Sequence, residues 1–187
     1  PNLSVGIFAQ NGVYAYFSAA FVPVLVGTFM RNAVPLIVPV ASSITAVNGF
    51  SSTLSSSDSP ENSEIILATG YVNWRNPTND DLWQGVNGIN NPCPSGYRLP
   101  TEAEWNVERL SWVSQNAAGG FASSLKLTMP GYRRFNTGAI EAIGNNGYYW
   151  TSTVFGNMSR YMGLSSASVG IPNNHRAYGF SIRCIKN

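Results

Sequence analysis

The run CPSGYRLPTEAEW, residues 93–105, constrains this chain more than any other stretch. Thr101 stands where a helix N-cap is wanted, and Glu104 follows three residues on. Each side chain can then accept a hydrogen bond from the other's backbone amide, satisfying two orphan donors at a helix start. The spacing predicts one main helix over about 102–115, with Trp105 and Trp112 on one face. Gly119-Gly120 is expected to end that stretch.

Nothing around this helix reads as helical. Gly, Ser and Asn are plentiful, aromatic residues make up 12% of the chain, and Lys occurs only at Lys126 and Lys186. Charged residues are 11%, against about 25% in ordinary soluble domains. This is the profile of a loop-rich, secreted or surface protein of mainly β character. At 187 residues the chain can hold one good core, or one domain with an appended segment. Its formal charge of +2 is too small and scattered to attract nucleic acid. The one adjacent basic pair, Arg133-Arg134, reads as solvated surface.

The charges are unevenly placed. Arg31 is the only charged residue before Asp58, which divides the chain into an apolar N-terminal segment, 1–57, and a second region, 58–187. Within the first lies VYAYFSAAFVPVLVGTFM (13–30), eighteen uncharged residues. Its length admits a membrane helix. Pro23, the β-branched and aromatic content, and the following VPLIVPV favour strands buried in a core or an assembly interface instead. No basic cluster precedes the run, so it makes a poor signal peptide, and the chain reads as already processed. Self-association through this segment is expected, because so little charge is hard to keep facing water.

SSTLSSSDSPENS (51–63) reads as a loop or linker, and EIILATGYVNW (64–74) as a strand. RNPTNDDLWQGVNGINNP (75–92) reads as a long irregular loop pinned by Trp74 and Trp83. Beyond the helix come short strands and turns: LKLTMPGYRR, GAIEAIG, YYWTSTV, a Gly/Ser/Asn-rich stretch, and AYGFSIRCIKN. The fold class expected is α+β.

Cys93 and Cys184 are the only cysteines and His175 the only histidine. Zinc sites need clustered Cys and His at short spacing, so a disulfide closing a long loop is the better reading. It implies an oxidising compartment.

Three motifs, NDDLWQGVNGINNPCPSGYRLPTEAEW, GYYWTST and RAYGFSIRCIKN, occur in one order. Together they resemble the Fibrobacter succinogenes major paralogous domain family, over about Thr53 to Asn187. The first fifty residues lie outside the resemblance. It implies a C-type-lectin-like fold with short strands, long loops and one main helix. It also implies a secreted or surface location in bacteria. Formylglycine-generating enzymes share the RLPTEAEW helix start, so the resemblance makes this run scaffold: Tyr97, Leu99 and Trp105 pack, and Arg98 forms a salt bridge.

Formylglycine-type oxidation needs a reactive thiolate, which a Cys93–Cys184 bond would remove. His175 lies in a turn-like PNNHRAYG with nothing at recognisable spacing to orient it as a base. Glu102 and Glu104 read as partners of the helix dipole, not as a paired-carboxylate site. The chain is therefore expected not to be an enzyme and to need no cofactor. Calcium stays open, because NPTNDD (76–81) offers oxygen ligands, although such residues commonly bond their own backbone.

Residues 151–175 mix aromatic anchors with small polar neighbours, as recognition loops do. The expected ligand-binding residues are Trp150, Phe155, Asn157, Arg160, Tyr161, Asn174, His175 and Arg176. An ordinary surface loop and edge strand is the alternative for this stretch. The function expected is that of an extracellular, non-enzymatic, adhesin-like surface protein holding a protein or glycan ligand. A structural subunit of a homopolymeric extracellular filament or sheath is the second possibility.

Overall fold

The computed structural model describes residues 7–10 and 13–16 as backbone strands, together with residues 49–60, 64–70 and 73–187. Among these residues the fold is mixed α+β, with short strands predominating and two short helices. Its centre is the hairpin of β8 (Asn146–Phe155) and β9 (Met158–Ser165). Gly156, at φ 57°, opens the two-residue turn between them, a backbone region that glycine enters without penalty.

Side chains alternate across this hairpin, and both of its faces are covered. Tyr149 pairs with Met162, and Trp150 with Tyr161. Tyr149, Met162 and Leu164 join Trp105, Trp112, Leu125 and Leu127 in one core. Trp150 and Tyr161 join Leu99, Phe180 and Ile182 in a second. Successive strand residues point to opposite faces, so a hairpin clad on both sides buries consecutive residues.

A seven-stranded sheet is built outward from the hairpin. β10 (Val169–Gly170) and β11 (Asn173–His175) pair with β9, and β12 (Phe180–Ser181) pairs with β8. From the N-terminal segment, β1 (Ile7–Gln10) lies antiparallel to β12, and β2 (Val13–Tyr16) is the outermost of the described strands. Most of the apolar run 13–30 and all of 31–48 lie outside the described residues, as does most of the segment expected to self-associate. Among the described residues, no helix is long and apolar enough to cross a membrane.

Before the helix, β3 (Phe50–Ser51) pairs in parallel with β4 (Ile65–Ile66), and Ser55 N–H donates to Trp74 O at 3.0 Å. These bonds straddle residues 57 and 58. The strand expected over 64–74 is shorter than its apolar pattern implies. Its backbone changes partner at each step, Leu67 N–H going to Ser51 O and Ala68 N–H to Phe135 O, and Gly70 at φ 80° then turns it.

Helix α1 (Glu102–Leu110) begins where the sequence places it, with both halves of the Thr101/Glu104 capping box formed. Arg98, in β5 (Tyr97–Arg98), grips Glu104 with two hydrogen bonds of 2.7 and 2.9 Å. The helix stops sooner than expected. Ser111 Oγ donates back to Glu108 O at 2.6 Å, and the Trp112 indole donates to Glu108 Oε1 at 3.0 Å. Asn116 then caps a second helix, α2 (Ala117–Ala122). Gly119 and Gly120 are inside α2 and do not terminate a helix. A Cβ on Gly119 would lie 1.8 Å from Ser114 O, and one on Gly120 would lie 3.1 Å from the Trp112 ring. The glycine pair serves close approach.

Cys93 and Cys184 are disulfide-bonded, with Cα atoms 5.8 Å apart. Beside the bond, β13 (Ile185–Lys186) pairs with β5, fastening the C-terminus to the helix start. The remaining pair, β6 (Tyr132–Arg133) and β7 (Ile140–Glu141), forms a separate ladder.

The hydrogen bonds from Arg98 are the main cause that pulls the Glu104 carboxyl down to about 2, from about 4.3 in an unfolded chain. A depressed acid stabilises the fold above its unfolded pKa, and that contribution fades as pH falls toward the folded value. Stability should therefore decline between about pH 4.3 and pH 2. Glu104→Gln should flatten that part of the urea-midpoint profile while costing about 0.5–2 kcal/mol at neutral pH through the weakened cap. An unchanged acid limb in the variant would remove Glu104 from the account.

Candidate functional site

The loop after β4 is knitted together by short polar side chains. Asp58 gathers it from three directions: Arg75 Nε at 2.9 Å, Asn79 Nδ2 at 2.9 Å, and Asn90 Nδ2 at 3.0 Å onto the Asp58 carbonyl. Trp83 N–H donates to Ile89 O at 2.9 Å, so the middle of the loop closes on itself.

Two stitches hold this loop against the β8–β9 hairpin. Gln84 Nε2 donates to Ser152 O at 2.6 Å. Arg176 meets Asp80 Oδ1 at 2.7 Å, and its other N–H groups reach Gly156 O at 2.9 Å and Met158 O at 3.1 and 3.2 Å. Arg176 is thus a clasp between the loop and the hairpin tip.

Between loop and hairpin lies a cleft of about 40 Å³, lined by Asn73, Trp74, Asn79, Asp80, Leu82, Trp83, Gln84, Trp150, Thr151, Ser152, Val154, Ser159 and Arg176. Indoles, amides and hydroxyls dominate the lining, and its two charges cancel. Among the described residues, Asn73 Nδ2 and Trp83 Nε1 are buried atoms without a hydrogen-bond partner.

The eight residues expected to bind fall into separate groups. Trp150 and Arg176 line the cleft. Trp150 and Tyr161 are 2% and 9% exposed and belong to a core, so neither ring is the free surface anchor that the sequence proposed. The reason is β9: the Ser/Gly/Asn-rich composition of 151–175 suggests a loop, but Met158–Ser165 is an inner strand covered on both faces. Phe155 and Asn157 stand exposed near the hairpin tip. The Arg160 guanidinium lies 4.0 Å above the Phe155 ring, and its Nε is 3.5 Å from Glu102. Asn174 and His175 are in β11, where Asn174 Oδ1 accepts from His175 N–H at 2.9 Å. The His175 ring packs edge-on to Phe135 at 5.1 Å. Of the eight, Trp150 and Arg176 share the cleft, while Asn174 and His175 lie beside β9.

This division predicts opposite outcomes for two aromatic truncations. Tyr161→Ala should destabilise the domain by about 3–5 kcal/mol, as large buried aromatics do. Phe155→Ala should cost under about 1 kcal/mol, an exposed cation–π contact at most. Equal denaturation midpoints for the two variants would contradict the burial of Tyr161.

On the loop side of the cleft, the sequence suggests the end of a strand at Asn73 and Trp74 and an irregular loop from residue 75, with no binding role beyond the calcium question. A signal was available in the tryptophans that bracket an Asn/Asp-rich run. As for the open calcium question, Asp80 is held by Arg176, and Asn79 Oδ1 accepts from Asp81 N–H at 2.9 Å. Among the described residues, no three His, Cys, Asp or Glu side chains cluster to hold a metal ion.

No family model matches the chain, and no similar protein was found among curated proteins or solved structures.

Proposed function

We propose that the chain is an extracellular, non-enzymatic domain of C-type-lectin-like fold that displays a ligand-binding face at a bacterial surface. The observation that carries this reading is the cleft between the 73–84 loop and the β8–β9 hairpin. It is a concave, aromatic-walled and charge-balanced site on loops held by a rigid frame, which is how binding proteins present polar recognition groups. The disulfide suits an oxidising exterior. Both cysteines are consumed by it, and the only histidine packs against Phe135, so neither stands as a nucleophile or general base. The ligand is a protein or glycan presented by another surface.

The test is equilibrium binding of the purified chain to panels of glycans and surface proteins, beside a Gln84→Ala variant that removes an exposed amide from the cleft lining. Saturable binding that the variant weakens while it stays folded is expected. No saturable binding by the wild type would overturn the reading.

One observation favours the filament subunit as a second reading. Among the described residues, strand β2 ends the sheet, and an end strand can accept a strand from another copy. Electron microscopy of the purified chain separates the two: fibres support the subunit, dispersed monomers the displayed domain.

A further inference from the structure

On one face of the central hairpin the aromatic side chains form a continuous series. Strand alternation points Tyr148 and Trp150 of β8 to the same side, and Tyr161 of β9 stands opposite Trp150. Tyr132 of β6 joins them from the neighbouring ladder. Ring centroids are 6.1 Å apart from Trp150 to Tyr161, 5.6 Å from Tyr161 to Tyr148, and 5.1 Å from Tyr148 to Tyr132. Each separation lies in the range of packed aromatic pairs. Phe180, 1% exposed, packs against all four rings.

The two ends of the series differ. Trp150 and Tyr161 are buried in the core, and Trp83, less buried, packs against the same core. Tyr132 is half-buried, and its hydroxyl donates to Glu141 Oε2 at 2.6 Å, the length of a charge-assisted bond. Arg134 Nη1 holds the same carboxylate at 3.0 and 3.4 Å. The bond to Glu141, followed by burial, pushes the Tyr132 phenol up to about 12, so it stays protonated at neutral pH.

An indole or phenol that loses one electron becomes a radical cation unless a proton leaves with it. In the buried part of the series that cation is desolvated, which is costly. At Tyr132 the proton has a carboxylate within hydrogen-bond reach. Oxidation is therefore easiest to hold at the Tyr132 end.

We propose that Trp150, Tyr161, Tyr148 and Tyr132 form a conduit that carries one-electron oxidation out of the core to Tyr132. An external one-electron oxidant, such as a peroxide-activated haem, takes an electron from an indole and is itself reduced by one electron. Electrons then step from ring to ring until one leaves Tyr132. The Tyr132 O–H bond breaks as its proton forms an O–H bond on Glu141, leaving a neutral tyrosyl radical beside a neutral carboxyl. A small enediol reductant returns one electron, Glu141 returns the proton, and both side chains regain their starting state. Such a path spares the buried tryptophan in the cleft wall from irreversible oxidation.

Pulse radiolysis of the intact protein with the azide radical tests this, because that radical oxidises indoles in preference to phenols. Indolyl and tyrosyl radicals are told apart by their absorption. In the wild type, indolyl absorbance should convert to tyrosyl absorbance in a first-order step whose rate is independent of protein concentration. Tyr132→Phe keeps the ring and should lose most of the tyrosyl yield. Glu141→Gln removes the proton acceptor and should slow the step by about 10²-fold, the scale of losing a positioned base. Tyr148→Phe should slow it as well, by taking out the middle of the series. Tyr178→Phe is the control: its ring lies 5.4 Å from that of Tyr132 but outside the series, and the rate should not change.

A wild type without concentration-independent conversion overturns the proposal, and that measurement needs no variant. An undiminished tyrosyl yield in Tyr132→Phe, or an unchanged rate in Glu141→Gln, overturns Tyr132 as the terminus. An unchanged rate in Tyr148→Phe overturns the path. None of these outcomes bears on ligand binding at the cleft.

Discussion

Trp105→Ala is expected to destabilise the domain by about 3–5 kcal/mol, the range for removing a buried tryptophan from a well-packed core. Trp105 is 0% exposed, among Trp112, Leu125, Leu127, Tyr149 and Met162. Its ring centroid is 6.1 Å from that of Tyr149, and its indole N–H reaches Trp150 O at 3.5 Å. One side chain therefore joins helix to sheet, and its loss would leave a cavity bounded by groups that β8, β9 and the disulfide-fastened helix start cannot easily move inward. At about 2–4 °C per kcal/mol for a domain of this size, the melting temperature should fall by about 6–20 °C. Val107→Ala on the exposed side of the same helix should stay within about 0.5 kcal/mol. A Trp105→Ala loss below 1 kcal/mol would mean that the helix is not packed on the sheet as described.

Removing the disulfide should have an effect of similar size. Cys93 and Cys184 are separated by 91 residues, and confining so long a loop in the unfolded chain is worth roughly 4–5 kcal/mol in the chain-entropy account, with about 2–5 kcal/mol the usual measured cost of losing a native bridge. The paired Cys93→Ser, Cys184→Ser variant should show that loss in urea midpoint. Wild-type protein in reductant should approach the variant, while the variant should not respond to reductant. The folded state should survive in part, because β5 and β13 still pair and Asn187 N–H still reaches Gly96 O at 3.1 Å. Coincident wild-type midpoints with and without reductant would contradict a stabilising bridge.

The parts of this architecture that sequence reveals are those governed by local chemistry. Thr101 and Glu104 announce a helix start because a capping box is complete within four residues, and Arg98 lies close enough in sequence to join it. An isolated cysteine pair in a chain with one histidine leaves few other uses for the sulfurs. Where the outcome depends on distant neighbours, sequence misleads. Tyr161 sits in a stretch with the composition of a recognition loop, and only the arrival of Phe180 and Leu99 on one face and the helices on the other turns that stretch into an inner strand. Gly119 and Gly120 look like a stop signal, but their purpose is set by Ser114 and Trp112 pressing against them. The cleft was hidden for the same reason. Its walls are joined by Gln84 to Ser152, 68 residues apart, and by Asp80 to Arg176, 96 apart, and no spacing rule links such positions.

The bond between Cys93 and Cys184 also makes residues 93–184 a covalent ring that contains both helices and the β8–β9 hairpin. A protease that cuts the exposed Gly156-Asn157 turn opens the ring without releasing either piece. Such a nicked molecule would run at full mass on a gel without reductant and divide into two fragments with it. A domain built in this way can be cut at this exposed turn and still carry every residue of the cleft.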